Sequence, residues 1–232
     1  MSLMVIAILG LAFLAINSHG AEDRPLIYLT YDDGPDPRFT PQLLDVLAKH
    51  KVKATFFMHG ATIIAHPELA GEVHQQGHYL ANHNYTHARP DTFSPSEMKD
   101  AIERTDDLIR SISGQKTVLY RAPFLDITAE IKTYLCSTGR NSVSADMIGI
   151  DWDTQDPDQI IKNLLPDLAP DAVVLLHDAG VGADGTRMGT VKATDTLIPL
   201  LRSKGYEFAD HSPNHRWQLT IEDCSDVQKA AG

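Results

Sequence analysis

Between residues 26 and 209 the chain alternates short β-rich runs with helical segments, and this alternation limits the fold more than any other feature. The predicted strands are "LIYLTY" (26–31), "ATFFM" (54–58), "HYLAN" (78–82), "VLY" (118–120), "MIGIDW" (147–152), "AVVLL" (172–176) and "YEFA" (206–209). The predicted helices cover 40–50, 67–76, 94–111, 128–139, 158–168 and 191–205. Their punctuation is physical. Thr40 is a candidate N-cap with Pro41 behind it, "SPSE" opens a helix with a capping pair, Gly139 closes one, and Pro166 breaks one. Strand–helix alternation implies a parallel sheet covered by helices. An open doubly wound sheet and a (β/α) barrel both fit. The barrel is favoured because Asp32, His83, Arg121, Asp153 and His177 each fall just past the end of a different predicted strand. Only a barrel brings all such positions to one rim. The fold expected is α/β, a distorted (β/α) barrel with about seven parallel strands in a single domain.

The length of 232 residues suits one domain, with 43% apolar and 22% charged residues as in a globular protein. The formal net charge of −11 disfavours nucleic acid or an anionic membrane as partner. Residues 1–20 read differently. The apolar run "LMVIAILGLAFLAI" is short for a membrane span and is followed by Ser18 and Gly20 at the −3 and −1 positions of a cleavage site. This is the pattern of a secretory signal peptide, or alternatively of an N-terminal anchor, although no Lys or Arg precedes it. The expected location is therefore secreted or cell-envelope/periplasmic. The chain has two cysteines, Cys136 and Cys224, which can pair in an oxidising compartment. The tail over 210–232 has no place in the strand–helix scheme.

The stretch "TYDDGPD" (30–36) sets two neighbouring carboxylates at a strand end, against their mutual repulsion. Three His pairs share a four-residue step: His74/His78, His83/His87 and His211/His215. That spacing alone is a weak signal. Gly77 interrupts the first pair and Pro213 the third, so both read as surface or cap residues. The second pair, in "HNYTH", follows the third strand at the rim. Two imidazoles and one carboxylate leave a divalent cation with open positions, the layout of a catalytic zinc site. Either Asp32 or Asp33 can ligate, which frees the other as a general base.

Five ordered segments, "TYDDGPD", "HNYTH", "RAPF", "DTQD" and "LLHD", resemble the motifs of the polysaccharide deacetylases, carbohydrate esterase family 4 or the NodB-homology family. The resemblance spans about residues 25–209 and implies a distorted (β/α) barrel as the catalytic domain over 21–209. It implies Asp33, His83 and His87 as metal ligands, one divalent ion, zinc, and Asp32 as catalytic base. It also implies His177 as general acid, Arg121 as the residue orienting the base, and Asp156 as the carboxylate tuning His177. Leu175 would line the acetate methyl pocket, and the backbone N–H of Phe124, at the family's usual tyrosine, would face the oxyanion. The fourth motif departs from the pattern. Pro157 stands where the family has a tryptophan that walls the sugar groove, and Trp152 is either a substitute for that surface or a core residue. The Gly-rich loop "VGADGTRMG" (181–189) either borders the substrate or is a plain connector.

The function implied is hydrolytic removal of N-acetyl groups from GlcNAc-containing carbohydrate, with chitin or chitooligosaccharide favoured, by an Asp base and a His acid acting with metal-activated water. Peptidoglycan GlcNAc deacetylase and acetylxylan esterase are alternatives within that chemistry. A non-catalytic carbohydrate-binding module is the alternative from another class, though it would have no use for Asp32, Arg121 and His177. The partner expected is a carbohydrate polymer or oligosaccharide, with no nucleic acid, no membrane beyond the first segment, and a monomeric chain.

Overall fold

The structure is a computed structural model describing residues 24–180 and 185–209. The proposed signal segment, the tail with His211, His215 and Cys224, and part of the Gly-rich loop lie outside the described residues. Among the described residues no cysteine is a free thiol, and no helix is long and apolar enough to cross a membrane.

The strands are β1 (Leu26–Asp32), β2 (Thr55–Met58), β3 (Tyr79–Asn82), β4 (Leu119–Tyr120), β5 (Asn141–Ser142), β6 (Met147–Ile148), β7 (Ala172–His177) and β8 (Glu207–Phe208). The helices are α1 (Thr40–His50), α2 (Gly60–Ala65), α3 (Pro67–Gln75), α4 (Pro95–Ser113), α5 (Ala129–Thr138), α6 (Pro157–Leu164) and α7 (Met188–Ser203). Every strand pair is parallel, and the order is β5-β4-β3-β2-β1-β7-β6, with β8 paired to the start of β1. No ladder joins β5 to β6 among the described residues, so the sheet curls into a half-barrel that stays open there.

The period of two along each strand sorts the side chains. Ile27, Leu29, Tyr31, Phe56, Met58, Leu80, Val174 and Leu176 point outward into the main core, against α1, α3, α6 and α7. Tyr28, Phe57, Ala81, Leu119, Val143 and Val173 fill the concave side. Further along that concave face come Thr30, Asp32, Leu175 and His177. The ladder places Thr30 opposite Leu175 and Asp32 opposite His177. The acid and base candidates therefore stand side by side because β1 and β7 are adjacent and in that register.

Local signals explain most helix ends. Ser94 and Glu97 form a full capping box on α4, and Gly114 at φ 69° closes it. Thr128 caps α5 by accepting from Ile131 N–H, and Gly139 ends it in the left-handed region. The hydroxyl of Thr40 does not cap α1. It donates instead to the Asp178 carboxylate at 2.6 Å and accepts from Asp36 N–H at 2.8 Å. Three elements differ from the sequence expectation. The two-residue β5 and the six-residue α2 are additional. β6 stops at Ile148 rather than running to Trp152, and Ile150 at φ 52° then turns the chain inward.

The corner after β1 depends on a close approach. Gly34 N–H donates to Asp178 Oδ1 at 3.1 Å. A Cβ on Gly34 would stand only 2.1 Å from Asp178 Oδ2. Gly34→Ala is therefore expected to lower unfolding free energy by about 2–4 kcal/mol, from overpacking plus the lost hydrogen bonds. Denaturant unfolding measures this, and a curve superimposable on wild type would contradict it.

Candidate active site

The rim at the strand ends carries a cleft of about 890 Å³ lined by Asp32, Asp33, His83, His87, Leu175 and His177 on its floor and by Phe124, Leu125 and Trp152 at its mouth. This volume suits a small organic ligand. Gly185, Thr186 and Arg187, from the Gly-rich segment, also face it.

Asp32 is buried and paired. Arg121, itself fully buried, donates from Nη1 to Asp32 Oδ1 at 2.7 Å and to Thr30 Oγ1 at 2.7 Å. Its Nε and Nη2 donate to the carbonyls of Val143 and Ser144, and the guanidinium lies over the Phe57 ring. All this fixes one oxygen of Asp32 and leaves Oδ2 3.8 Å from His83 Nε2. Asp33 follows at φ 78°, a left-handed conformation that Asp tolerates better than most residues. That turn sends its carboxylate to the same spot from the other side.

Three imidazoles converge on Asp33 Oδ1: Nε2 of His59 at 3.0 Å, of His83 at 3.4 Å and of His87 at 3.7 Å. "HNYTH" achieves this as an irregular turn, not a helix. Burial would raise the Asp33 carboxyl, but the His59 and His83 imidazoles beside it outweigh this and hold the group well below the usual carboxylate range. His83 Nδ1 faces the Arg121 carbonyl at 2.8 Å, so it carries the proton, and Nε2 is left pointing at two carboxylates. A lone pair facing carboxylate oxygens is repulsive unless a positive charge lies between them. Donor atoms about 2.0–2.1 Å from a shared tetrahedral zinc stand roughly 3.4 Å apart, close to the separations here. Asp33 with His59 and His83 forms a buried metal-capable group, and His87 stands beside it, half-buried. The donor set thus fits a divalent ion.

His177 shares the cleft with Asp32. Its Nδ1 lies 2.7 Å from Asp151 Oδ1, and its backbone N–H donates to Asp151 Oδ2 at 2.8 Å. Thr190, on α7, donates its hydroxyl to Asp151 Oδ2 at 2.6 Å. Burial would lower the His177 pKa, but Asp151, with help from Asp33 and Asp32, raises it to about 9. The imidazole is therefore protonated at neutral pH. This corrects the expectation for Asp156. Asp156 is exposed and caps α6, accepting from Asp158 N–H at 3.0 Å, and does not reach His177. The early end of β6 and the turn at Ile150 bring Asp151 under the imidazole instead. Pro157 sits in the first turn of α6, and Trp152 is not core. It is half-exposed at the cleft mouth, its ring edge-on to His177 with centroids 5.4 Å apart.

Phe124, at φ 60°, presents an exposed ring to His87, with centroids 4.3 Å apart, and the Arg89 guanidinium lies over the same ring at 4.6 Å from its centroid. Sequence reasoning missed His59, Asp151 and Thr190. It also placed His78 at the surface, whereas His78 is buried and accepts from Ala54 N–H.

Replacing Asp151 by Asn removes the charge that keeps His177 protonated. A general acid is active below its pKa, so activity falls as pH rises through it. For Asp151→Asn the basic limb of the kcat profile is expected to move down by about 1–3 pH units. An unmoved limb would contradict the assignment.

A parallel half-barrel with carboxylates and imidazoles gathered at its strand ends has known counterparts. The family model described as polysaccharide deacetylase matches residues 19–143. The chain belongs to that family. It is 35% identical over 189 residues to a chitooligosaccharide deacetylase of Bradyrhizobium sp. (strain ANU 289), covering 78% of this chain and 86% of the relative. It is 31% identical over 189 residues to a peptidoglycan-N-acetylglucosamine deacetylase of Bacillus cereus, covering 82% of this chain and 68% of the relative. The crystal structure of the Bc1960 peptidoglycan N-acetylglucosamine deacetylase superposes with a TM-score of 0.76 at 30% identity, covering 82% of this chain and 87% of that one.

Proposed function

We propose that this chain is a metal-dependent hydrolase that removes N-acetyl groups from GlcNAc-containing carbohydrate, chitooligosaccharide first. One observation carries the reading. Asp32 and His177 face one cleft from adjacent strands in register, one as a buried carboxylate and the other as an imidazole held protonated. Amide hydrolysis needs that pairing of base and acid.

Asp33, His83 and His87 would hold the ion, zinc, which when bound supplies Lewis-acid polarisation of the acetyl carbonyl and of water. Asp32 takes the proton of the attacking water through the oxygen that Arg121 leaves accessible. Arg121 fixes the carboxylate through its 2.7 Å hydrogen bond to Oδ1. His177 gives its proton to the leaving nitrogen, and Asp151 holds the ring with Nδ1 occupied, so Nε2 carries the transferable proton. Leu175 borders the site for the acetyl methyl, the Phe124 backbone N–H stands for the oxyanion, and the Phe124 and Trp152 rings offer apolar faces to pyranose rings. An N-terminal segment for export would place the enzyme in the cell envelope or outside the cell, where such substrates occur.

The chitooligosaccharide relative supports the substrate choice. The Bacillus cereus relative supports a second reading, peptidoglycan GlcNAc. Mass spectrometry of products from chitopentaose, a peptidoglycan fragment and acetylated xylooligosaccharide, each with zinc and with chelator, separates these. Loss of acetyl mass from chitopentaose, with zinc only, is expected. Loss from the xylooligosaccharide alone would replace the amidase reading with an esterase.

A further inference from the structure

α2 binds the first two motifs together. His59 N–H and Thr62 Oγ1 both donate to the Gly34 carbonyl, at 3.3 and 2.5 Å. Gly60 and Ala61 N–H donate to the carbonyls of Asn84 and Tyr85, at 3.1 and 3.0 Å. Gly60 admits no side chain, since a Cβ would lie 2.4 Å from the Tyr85 ring. The start of this helix therefore grips the Asp33–Gly34 corner on one side and the "HNYTH" turn on the other.

His59 stands where the two grips meet. It is 5% exposed, and its Nε2 lies 3.0 Å from Asp33 Oδ1. Its ring lies nearly parallel to His83, at 27° with centroids 4.8 Å apart, and meets His87 edge-on. Its Nδ1 is buried without a hydrogen-bond partner. An apolar side chain would fill this space without leaving a nitrogen unsatisfied, so the position uses the imidazole for Nε2. Asp33, in a left-handed backbone conformation, brings its carboxylate to His59 from the corner that this helix start grips.

We propose that His59 is a positioning residue of the metal centre, whose Nε2–H donates to Asp33 Oδ1 and holds that carboxylate for the ion. The inference rests on Asp33, His83 and His87 as ligands. Carboxylates that bind metals are commonly held by such outer hydrogen bonds, and losing one costs about 10–100-fold in affinity.

The test uses three variants of the full chain. His59→Leu and His59→Phe remove the donor, and His59→Gln keeps an N–H near the Nε2 position. Metal-free protein is titrated with zinc against a chromophoric chelator, with thermal unfolding of each metal-free form run in parallel. The apolar variants are expected to bind zinc about 10–100-fold more weakly, and the Gln variant within about threefold of wild type. Phe, which preserves a ring beside His83, serves if Leu does not fold. An apolar variant that binds zinc like wild type overturns the proposal. A Gln variant as weak as the apolar ones also overturns it, because the imidazole would then ligate directly or act only through its shape. Wild-type protein that binds no zinc overturns the ligand assignment itself, a failure visible before any variant is compared.

Discussion

Asp32→Asn is expected to keep about one zinc per chain while acetate release falls roughly 10²–10⁴-fold. Asn keeps the size and one acceptor oxygen of Asp, so the Arg121 contact at 2.7 Å has a partner. It cannot take a proton from water. The other oxygen of Asp32 lies 3.8 Å from His83 Nε2, whereas Asp33 lies 3.4 Å from the same atom and also meets His59 and His87. On the proposed reading the ion would be held by Asp33, and losing the Asp32 charge would leave it in place. Some stability goes with the substitution, because a fully buried guanidinium loses its counter-charge. Breaking such a pair costs about 3–5 kcal/mol when a partner is removed outright. Melting temperature is therefore measured beside turnover and zinc content. Near wild-type turnover would place the base elsewhere. Loss of zinc in a folded variant would make Asp32 a ligand.

His177→Gln is expected to lower activity on N-acetyl substrates roughly 10²–10⁴-fold, and on an aryl acetate ester by less than about tenfold. The difference is the leaving group. An amine departs badly without a proton, and a phenolate departs well without one. The imidazole is suited to supply that proton, with a pKa raised to about 9 despite its burial because Asp151 sits 2.7 Å away. Gln can still accept or donate a hydrogen bond at the site but cannot deliver a proton. The comparison of two substrates in one variant makes the test specific, since a general disturbance of the cleft would slow both. Equal losses on amide and ester would contradict the acid role.

The parts of the site legible in the sequence are those carried by strand ends. The apolar runs that end at Tyr31, Ala81 and Leu176 reach to within one residue of the ends of β1, β3 and β7, and Asp32, His83 and His177, at or just past those ends, meet at the rim. Burial drives those runs, so their ends are visible in composition. The short elements were not legible. β5 has two residues and exists through pairing with β4. α2 has six residues, no side-chain cap hydrogen bond, and N–H groups spent on the turns it anchors. Both are stabilised from outside their own sequence, so nothing local to His59, a residue before a glycine, marks its place in the site. The length of β6 was also hidden. "MIGIDW" is apolar enough to run as a strand to Trp152, but only Met147 and Ile148 pair with β7. Gly149 packs against Leu176, with 2.5 Å left for a Cβ, and the chain then turns at Ile150. That turn, which no local propensity announces, decides that Asp151 rather than Asp156 serves His177.

The most direct measurement is acetate release from chitopentaose by protein stripped of metal and then titrated with zinc. Activity absent in the stripped chain and restored in proportion to zinc, levelling off at about one ion per chain, is expected from a single site held by one carboxylate and two imidazoles. Full acetate release by the metal-free chain would contradict it.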